Sequence, residues 1–495
     1  MAGVVRTEVA IADHPMWIDG AAVDSMSGQW RDSIDPYSGQ VWARVAEGDA
    51  SDVHRAVTAA RTALESGPWS RMSGRDRRVL MFELARLIRR DAAAIAEIET
   101  RDNGKLYRES LGMLEASAGW YEYFAGWADK LQGDVIPVDR RSLHIYTQRE
   151  PVGVVAAITA WNSPVLMAAY KLGPGLAAGC TFVLKPAEQT PMSTLAFARL
   201  TEEAGFPPGV VNVVTGSGST VGQALVEHWG VDKVAFTGSS ITGARVAATA
   251  ASHLTPSMLE LGGKSPQLVF GDADLDAASA GIAGGIFAAA GQSCVAGSRL
   301  YVQRSVAEEL RERVIARATA LELGDPLREE TDLGPISFEH HMNRVLGFVE
   351  RGTAGGARLL TGGVRATRAD LANGFFVEPT VLEGMSPDDE LITEEIFGPV
   401  LSMQTFDTEE EVIALANSSR YGLAAGIWTN TLGRAHRVAQ AIQAGTVWVN
   451  AYRMVNHAVP FGGYKDSGYG RENGADSLRE FTKTKAIWIE TAETR

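Results

Sequence analysis

Between residues 152 and 251, short apolar runs alternate with longer helix-periodic segments, and this alternation constrains the fold more than anything else in the chain. Residues 152–158, 181–184, 210–214 and 233–236 have strand length and are rich in β-branched and small apolar side chains. Helical segments are expected near 167–176, 219–229 and 241–251. A further one opens at Thr190, its N-cap, with Pro191 as first helical residue, and closes at Gly205. Strands this apolar are buried on both faces, which implies a parallel sheet with helices on both sides, an α/β fold. Such sheets take ligands at the carboxyl ends of their strands.

The flanking stretches are simpler. Residues 1–48 are mixed, with turn signals at Asp35-Pro36 and Ser38-Gly39. Val53, Ala56, Val57, Ala60, Ala63 and Leu64 then recur at helical spacing, with Asp49 or Ser51 as the cap. A longer helix starts at about Ser73 and stops at Asn103-Gly104. A third, at about 109–130, carries the aromatic stripe of Trp120, Tyr121, Tyr123, Phe124 and Trp127, read as packing. Alternation of Leu143, Ile145 and Thr147 with polar residues predicts a strand or hairpin within 133–150.

A length of 495 residues suggests about three domains. The net charge of −14 argues against nucleic-acid and anionic-membrane partners. Two cysteines cannot build a disulfide framework, which fits a reducing cytoplasm. No signal-peptide pattern and no membrane-length apolar run is visible. The histidines carry no ligand spacing, so no metal is expected.

Cys294 stands in FAAAGQSCVAGS, residues 287–298, among alanines, glycines and serines. Small residues let a ligand approach closely, and a thiol on such a turn after an apolar helix reads as a presented nucleophile. A lone free cysteine is more often a buried small hydrophobe, as expected for Cys180 in LAAGCTFVLKP. Two turns invite a dinucleotide. Gly216-Ser217-Gly218 with Gly222 has the wrong spacing for G-x-G-x-x-G. Thr237-Gly238-Ser239-Ser240 follows a strand and opens a helix, so it is the better pyrophosphate site, although an ordinary strand–helix turn would look the same.

MLELGGKSP (258–266) with GQSC (291–294) resembles the NAD(P)-dependent aldehyde dehydrogenase superfamily. TAWNSP (159–164), KPAEQTP (185–191), AFTGS (235–239), EEIFGPV (394–400) and PFGGYKDSGYGRE (460–472) follow in the order of that family. The resemblance implies a Rossmann-like cofactor domain (residues 1–132 and 149–261) and a second α/β catalytic domain (262–455). It also implies a β oligomerisation arm (133–148 and 477–495) and a returning segment (456–476) that lines the active site.

By the same resemblance Cys294 is the nucleophile, Asn162 and the Cys294 backbone N–H are oxyanion donors, and Glu260 is the general base. Lys185 and Glu188 would meet the adenosine ribose and Ser239, with Gly238, the pyrophosphate. Glu395 would meet the nicotinamide ribose and Phe397 the nicotinamide, with Trp161 in the same cleft. Lys171 and Glu472 match positions linked to proton movement. The cofactor is NAD, with NADP less favoured because of Glu188, and the assembly a homodimer or homotetramer.

The substrate pocket is expected to be wide. Ser163 follows the asparagine, and Ala288, Ala289 and Ala290 precede the nucleophile, where aromatics are common in the family. Met167, Tyr170 and Phe461 keep part of the wall apolar, and Arg453 either anchors an anionic or carbonyl group of the substrate or pairs with a protein carboxylate. Other readings are a CoA-acylating or semialdehyde dehydrogenase of the same fold, a cysteine hydrolase or acyltransferase, and a non-catalytic relative. Cys294 with Glu260, and the lack of a Cys-His motif around His253, His340 or His341, favour oxidation to the free acid.

Overall fold

The computed structural model describes residues 11–491. The first ten residues of the expected cofactor domain and the last four of the expected arm lie outside that range. Two large sheets organise the rest, and the mixed α/β class expected from the alternation is what forms. In the first, five parallel strands run in the order Ser257–Glu260, Lys233–Thr237, Val154–Ile158, Thr181–Lys185, Val211–Val213. All but Ser257 and Thr237 are buried, as an apolar run covered on both faces must be. Met16–Ile18 and Ala21–Val23 add antiparallel strands at one edge, and Gly468–Tyr469 at the other, pairing with Leu259 and Glu260.

The second sheet orders Arg358–Thr361, Thr380–Glu383, Val400–Phe406, Arg299–Gln303, Pro266–Val269, Ala424–Trp428 and Thr446–Val449, parallel except at the first pair. Among the described residues no helix is long and apolar enough to cross a membrane.

Local chemistry sets the helix ends. Asp49, not Ser51, caps helix Ala50–Glu65 and forms a capping box with Asp52. Ser73 and Asp76 do the same for Gly74–Asn103, which Gly104 ends in the left-handed region at φ 79°. The aromatic helix is shorter than expected, Tyr107–Ala125, because Gly126 starts a series of tight turns. The segment expected at 219–229 is a wide turn, Gly218–Gly222, followed by a short helix, Gln223–Glu227, which leaves Trp229 exposed.

Thr190 does not cap the following helix. That helix, Met192–Glu203, begins one residue later, and Asp102 from the long helix accepts the Met192 N–H at 2.8 Å. The strand Leu143–Pro151 pairs antiparallel along its length with Thr482–Glu490 and makes only a short contact near Val135 within its own segment. Pro137 interrupts a longer hairpin there by removing a backbone donor.

Candidate active site

A cavity of about 660 Å³ opens at the carboxyl ends of the first sheet's strands. Ile158, Thr237 and Glu260, the ends of three neighbouring strands, form part of its wall, as expected for a parallel sheet. Cys294 enters from the other sheet's side. Helix Leu275–Phe287 breaks into a tight turn in which Ala289, Ala290 and Gly291 take φ of 53°, 52° and 71°. Left-handed alanines cost about 1–2 kcal/mol each, so surrounding contacts must hold this turn. Two do: Glu109 accepts the Ala289 N–H at 3.1 Å, and Gln292 Nε2 donates to the Ala289 carbonyl at 3.1 Å. A side chain at Gly291 would meet the Gly398 carbonyl at 2.0 Å, so only glycine fits.

Cys294, Asn162 and Glu260 all line this one cavity. Asn162 follows the strand Val154–Ile158 and is buried; its Nδ2 donates to the Gln292 carbonyl at 2.9 Å. Glu260 is buried at a strand end with both carboxylate oxygens unpartnered. Gly462 makes room for it: a Cβ there would stand 2.8 Å from Glu260 Oε1. Burial, and then the nearby Glu472 carboxylate, hold the Glu260 carboxyl well above the usual carboxylate range, against the pull of Lys171 and Arg471. Burial also pushes the Cys294 thiol up to about 12, with Glu395 and Glu260 adding to the rise and Arg453 opposing it. Glu472 lines the cavity, whereas Lys171 lies behind it, fully buried. The Lys171 ammonium donates to Glu472 and to Thr237 Oγ1, each at 2.6 Å.

The residues expected to hold a dinucleotide form a continuous part of the same wall. Lys185, Glu188, Gly238, Ser239, Trp161, Glu395 and Phe397 all line the cavity. Ser239 caps the thirteen-residue helix Ser240–Ser252 through the Thr242 N–H. Lys185 is buried with its ammonium on the Pro186 carbonyl at 2.9 Å, and desolvation lowers it to about 8. Glu395 accepts the Gly263 N–H at 2.8 Å and is raised to about 7 by burial. Trp161 packs edge-on to Phe397 at 5.1 Å. Thr159 Oγ1 lies on this wall, buried and without a partner. A long cleft with a helix N-terminus, a buried cation, and carboxylates placed among hydroxyls and aromatic rings fits a pyrophosphate-linked dinucleotide. Among the described residues no group of three or more His, Cys, Asp or Glu side chains is placed to hold a metal ion.

On the substrate side Ser163, Met167, Tyr170, Arg453 and Phe461 line the cavity. Ala288 does not; it sits behind the wall, where its carbonyl accepts from Arg453 Nη1 at 3.2 Å. The same nitrogen donates to Gly284 at 3.3 Å, so Arg453 leans on backbone carbonyls, with φ 58°.

Several wall or near-wall residues gave no sequence signal. His341, outside any motif, lines the cavity and bonds the Phe397 carbonyl at 2.7 Å; burial lowers it to about 4. Gly218, set aside because its glycine spacing is wrong, is on the wall, and its N–H donates to Glu188 at 2.6 Å. Lys105 and Gln292 brace Asn162 from behind.

The sequence model of the aldehyde dehydrogenase family matches residues 22–487. The mitochondrial aldehyde dehydrogenase of Equus caballus is 47% identical over 483 residues, covering 97% of this chain and 96% of that protein. The (Z)-2-((N-methylformamido)methylene)-5-hydroxybutyrolactone dehydrogenase of Acinetobacter baylyi is 44% identical over 464 residues, 93% of this chain and 94% of that protein. The NAD+ complex of an aldehyde dehydrogenase from Bacillus cereus matches with a TM-score of 0.95 at 44% identity, covering 97% of each chain. With cavity, motifs and whole-length likeness in agreement, this chain belongs to the aldehyde dehydrogenase family and is an oxidoreductase that acts on aldehydes.

Proposed function

We propose that the enzyme oxidises a substituted aldehyde to the free carboxylic acid through a cysteine-bound thiohemiacetal and thioester, with NAD as its cofactor. The observation that carries this reading is the convergence of Cys294, Asn162 and an unpartnered Glu260 on one cavity wall. Cys294 gives up its proton to water in the cavity as its sulfur bonds the carbonyl carbon. The oxygen becomes an oxyanion, which the Asn162 amide and the Cys294 backbone N–H stabilise. NAD, when bound, supplies the hydride acceptor that converts the thiohemiacetal to the thioester.

Glu260 then takes a proton from water as the water oxygen bonds the thioester carbon, and the C–S bond breaks to release the acid and the Cys294 thiolate, which takes up a proton from solvent. A carboxyl raised well above the usual carboxylate range is matched to that task. Lys171 and Glu472 lead the proton away behind the wall. NADH formation with an aldehyde panel, with and without CoA, tests the whole reading. Turnover that requires CoA would replace it with acyl transfer, and acid release without NADH with simple hydrolysis.

We assign the adenosine ribose to Lys185 and Glu188, the pyrophosphate to Ser239 and Gly238, and the nicotinamide riboside to Glu395, Phe397 and Trp161. The NAD+ complex of the Bacillus cereus relative supports a dinucleotide there. Glu188 accepts a hydrogen bond well but repels a 2′-phosphate, so kcat/KM for NAD is expected to exceed that for NADP by about tenfold. Lys185 beside it keeps the gap from growing larger. Glu188→Gln should narrow the gap; equal kcat/KM values in wild type would refute the assignment.

The pocket takes a bulky or polar aldehyde because residue 163 is a serine and Arg453 brings a cation to the wall. The substituted hydroxybutyrolactone in the name of the Acinetobacter relative supports a substituted substrate. With acetaldehyde, an aromatic aldehyde and a carboxylate-bearing semialdehyde as a panel, Arg453→Met should lower the semialdehyde-to-neutral ratio of kcat/KM by about tenfold. An unchanged ratio removes the anchor, and a narrow preference for acetaldehyde removes the wide pocket.

The two sheets support the division into cofactor and catalytic domains. The paired strands Leu143–Pro151 and Thr482–Glu490, with Trp488 and Ile489 exposed, support an arm that joins subunits into a dimer or tetramer. A reducing, cytoplasmic setting suits a reaction that needs a free Cys294.

A further inference from the structure

Behind the cavity wall, the buried turn between the helices Gly74–Asn103 and Tyr107–Ala125 carries a lysine, Lys105. Its backbone is fixed: the Lys105 N–H donates to Asn103 Oδ1 at 2.9 Å, and Gly104 packs so tightly that a Cβ there would stand 2.7 Å from Pro335. The Lys105 ammonium donates to the Asn162 carbonyl and to Ser163 Oγ at 2.7 Å. Ser163 Oγ in turn donates to the same Asn162 carbonyl at 2.7 Å, closing a ring. Met113 Sδ lies 3.2 Å from the Lys105 nitrogen, and the buried Glu99 carboxyl lies 3.9 Å away. From the opposite side the Asn162 amide is tied to the Gln292 carbonyl, and Gln292 itself is held by the Ser337 N–H at 2.9 Å.

A cation buried this deeply is kept only where its hydrogen bonds are well made, and here they converge on one backbone carbonyl. That carbonyl belongs to Asn162, whose side chain must hold its aim within a fraction of an ångström for an oxyanion to benefit. Lys105 does not itself line the cavity, but Asn162, Ser163 and Met113 all do.

We propose that Lys105 is a positioning residue. Through the ring with Ser163 it clamps the Asn162 backbone so that the Asn162 amide stays aimed at the substrate oxygen. The inference rests on Asn162 being an oxyanion donor. It gives Ser163 a second duty beyond leaving space: its hydroxyl is the bridge of the clamp.

The test compares Lys105→Met, Ser163→Ala, Asn162→Ala and the Lys105→Met/Asn162→Ala double variant in the full-length enzyme. Four quantities are read: the rate constant of the first NADH turnover, KM for NAD, melting temperature, and alkylation of Cys294 by iodoacetamide. Alkylation displaces iodide at a saturated carbon and forms no oxyanion, so it reports the access and ionisation of Cys294 apart from the oxyanion step. Lys105→Met should slow the first turnover by about 10–100-fold, with alkylation and KM for NAD within about twofold. Ser163→Ala should slow it by about threefold.

In the Asn162→Ala background Lys105→Met should cost nothing more, because the clamp has lost what it aims. A full multiplicative loss in the double variant, or an unchanged first turnover in Lys105→Met, overturns the proposal. If Lys105→Met does not fold, an unchanged first turnover in Ser163→Ala does so. A slowed Asn162→Ala beside an unaffected Lys105→Met removes the clamp alone. An intact first turnover in Asn162→Ala removes the oxyanion role and the clamp with it.

Discussion

Aldehyde-dependent NADH formation should disappear in Cys294→Ala, while titration still shows NAD binding. In the proposed mechanism the thiol supplies the bond that makes the carbonyl carbon tetrahedral, and among the lining residues Cys294 is the one thiol. Lys185, Glu188 and Ser239, proposed to hold the cofactor, are not altered by this substitution, so binding should persist. Residual turnover above about 1% of wild type would sink the assignment. Cys180 is the control. It is buried below the first sheet, donates to the Phe481 carbonyl at 3.3 Å and is held near 11 by desolvation. Cys180→Ala should leave activity within a few-fold.

Glu260→Gln should stall the enzyme with its cysteine acylated. The expected trace is a rapid release of about one NADH per active site, followed by turnover slowed about 100-fold or more. Glutamine keeps the shape of the side chain but cannot take the proton from water. The stall should be visible by mass spectrometry as an acyl adduct on Cys294. Loss of the initial NADH release would place Glu260 earlier, at the deprotonation of Cys294. Because burial and the Glu472 carboxylate raise the Glu260 carboxyl, wild-type turnover should rise with pH above the ordinary carboxylate range as Glu260 ionises. In Glu260→Gln that limb should vanish.

Much of this was legible in the chain. The alternating strands and helices between 152 and 251 foretold the parallel sheet, and five of its strands form where apolar runs stood or just beyond, at Ser257–Glu260. Helix ends followed where the capping group is local, as with Asp49 and Ser73. They failed where it is remote: the Met192 N–H is served by Asp102, ninety residues earlier, so Thr190 was a false cap.

The site divides in the same way. Most residues named from contiguous motifs line the cavity, whereas Lys105, His341 and Gly218 reach the cavity region through tertiary packing, which no local pattern encodes. Ala288, expected at the pocket, is not among the lining residues; it precedes the left-handed turn at Ala289 and Ala290, of which alanine gives no warning.

Held as a thiol near pKa 12, Cys294 is also poor prey for peroxides. Oxidants attack the thiolate, and the burial that raises this thiol keeps that charged form scarce. Climbing from sulfenic to irreversible sulfinic acid is slowed from its first rung. If Cys294 is the nucleophile proposed above, the same burial would shelter it from oxidation between encounters with substrate. An enzyme whose cysteine stood permanently ionised would trade that durability for readiness.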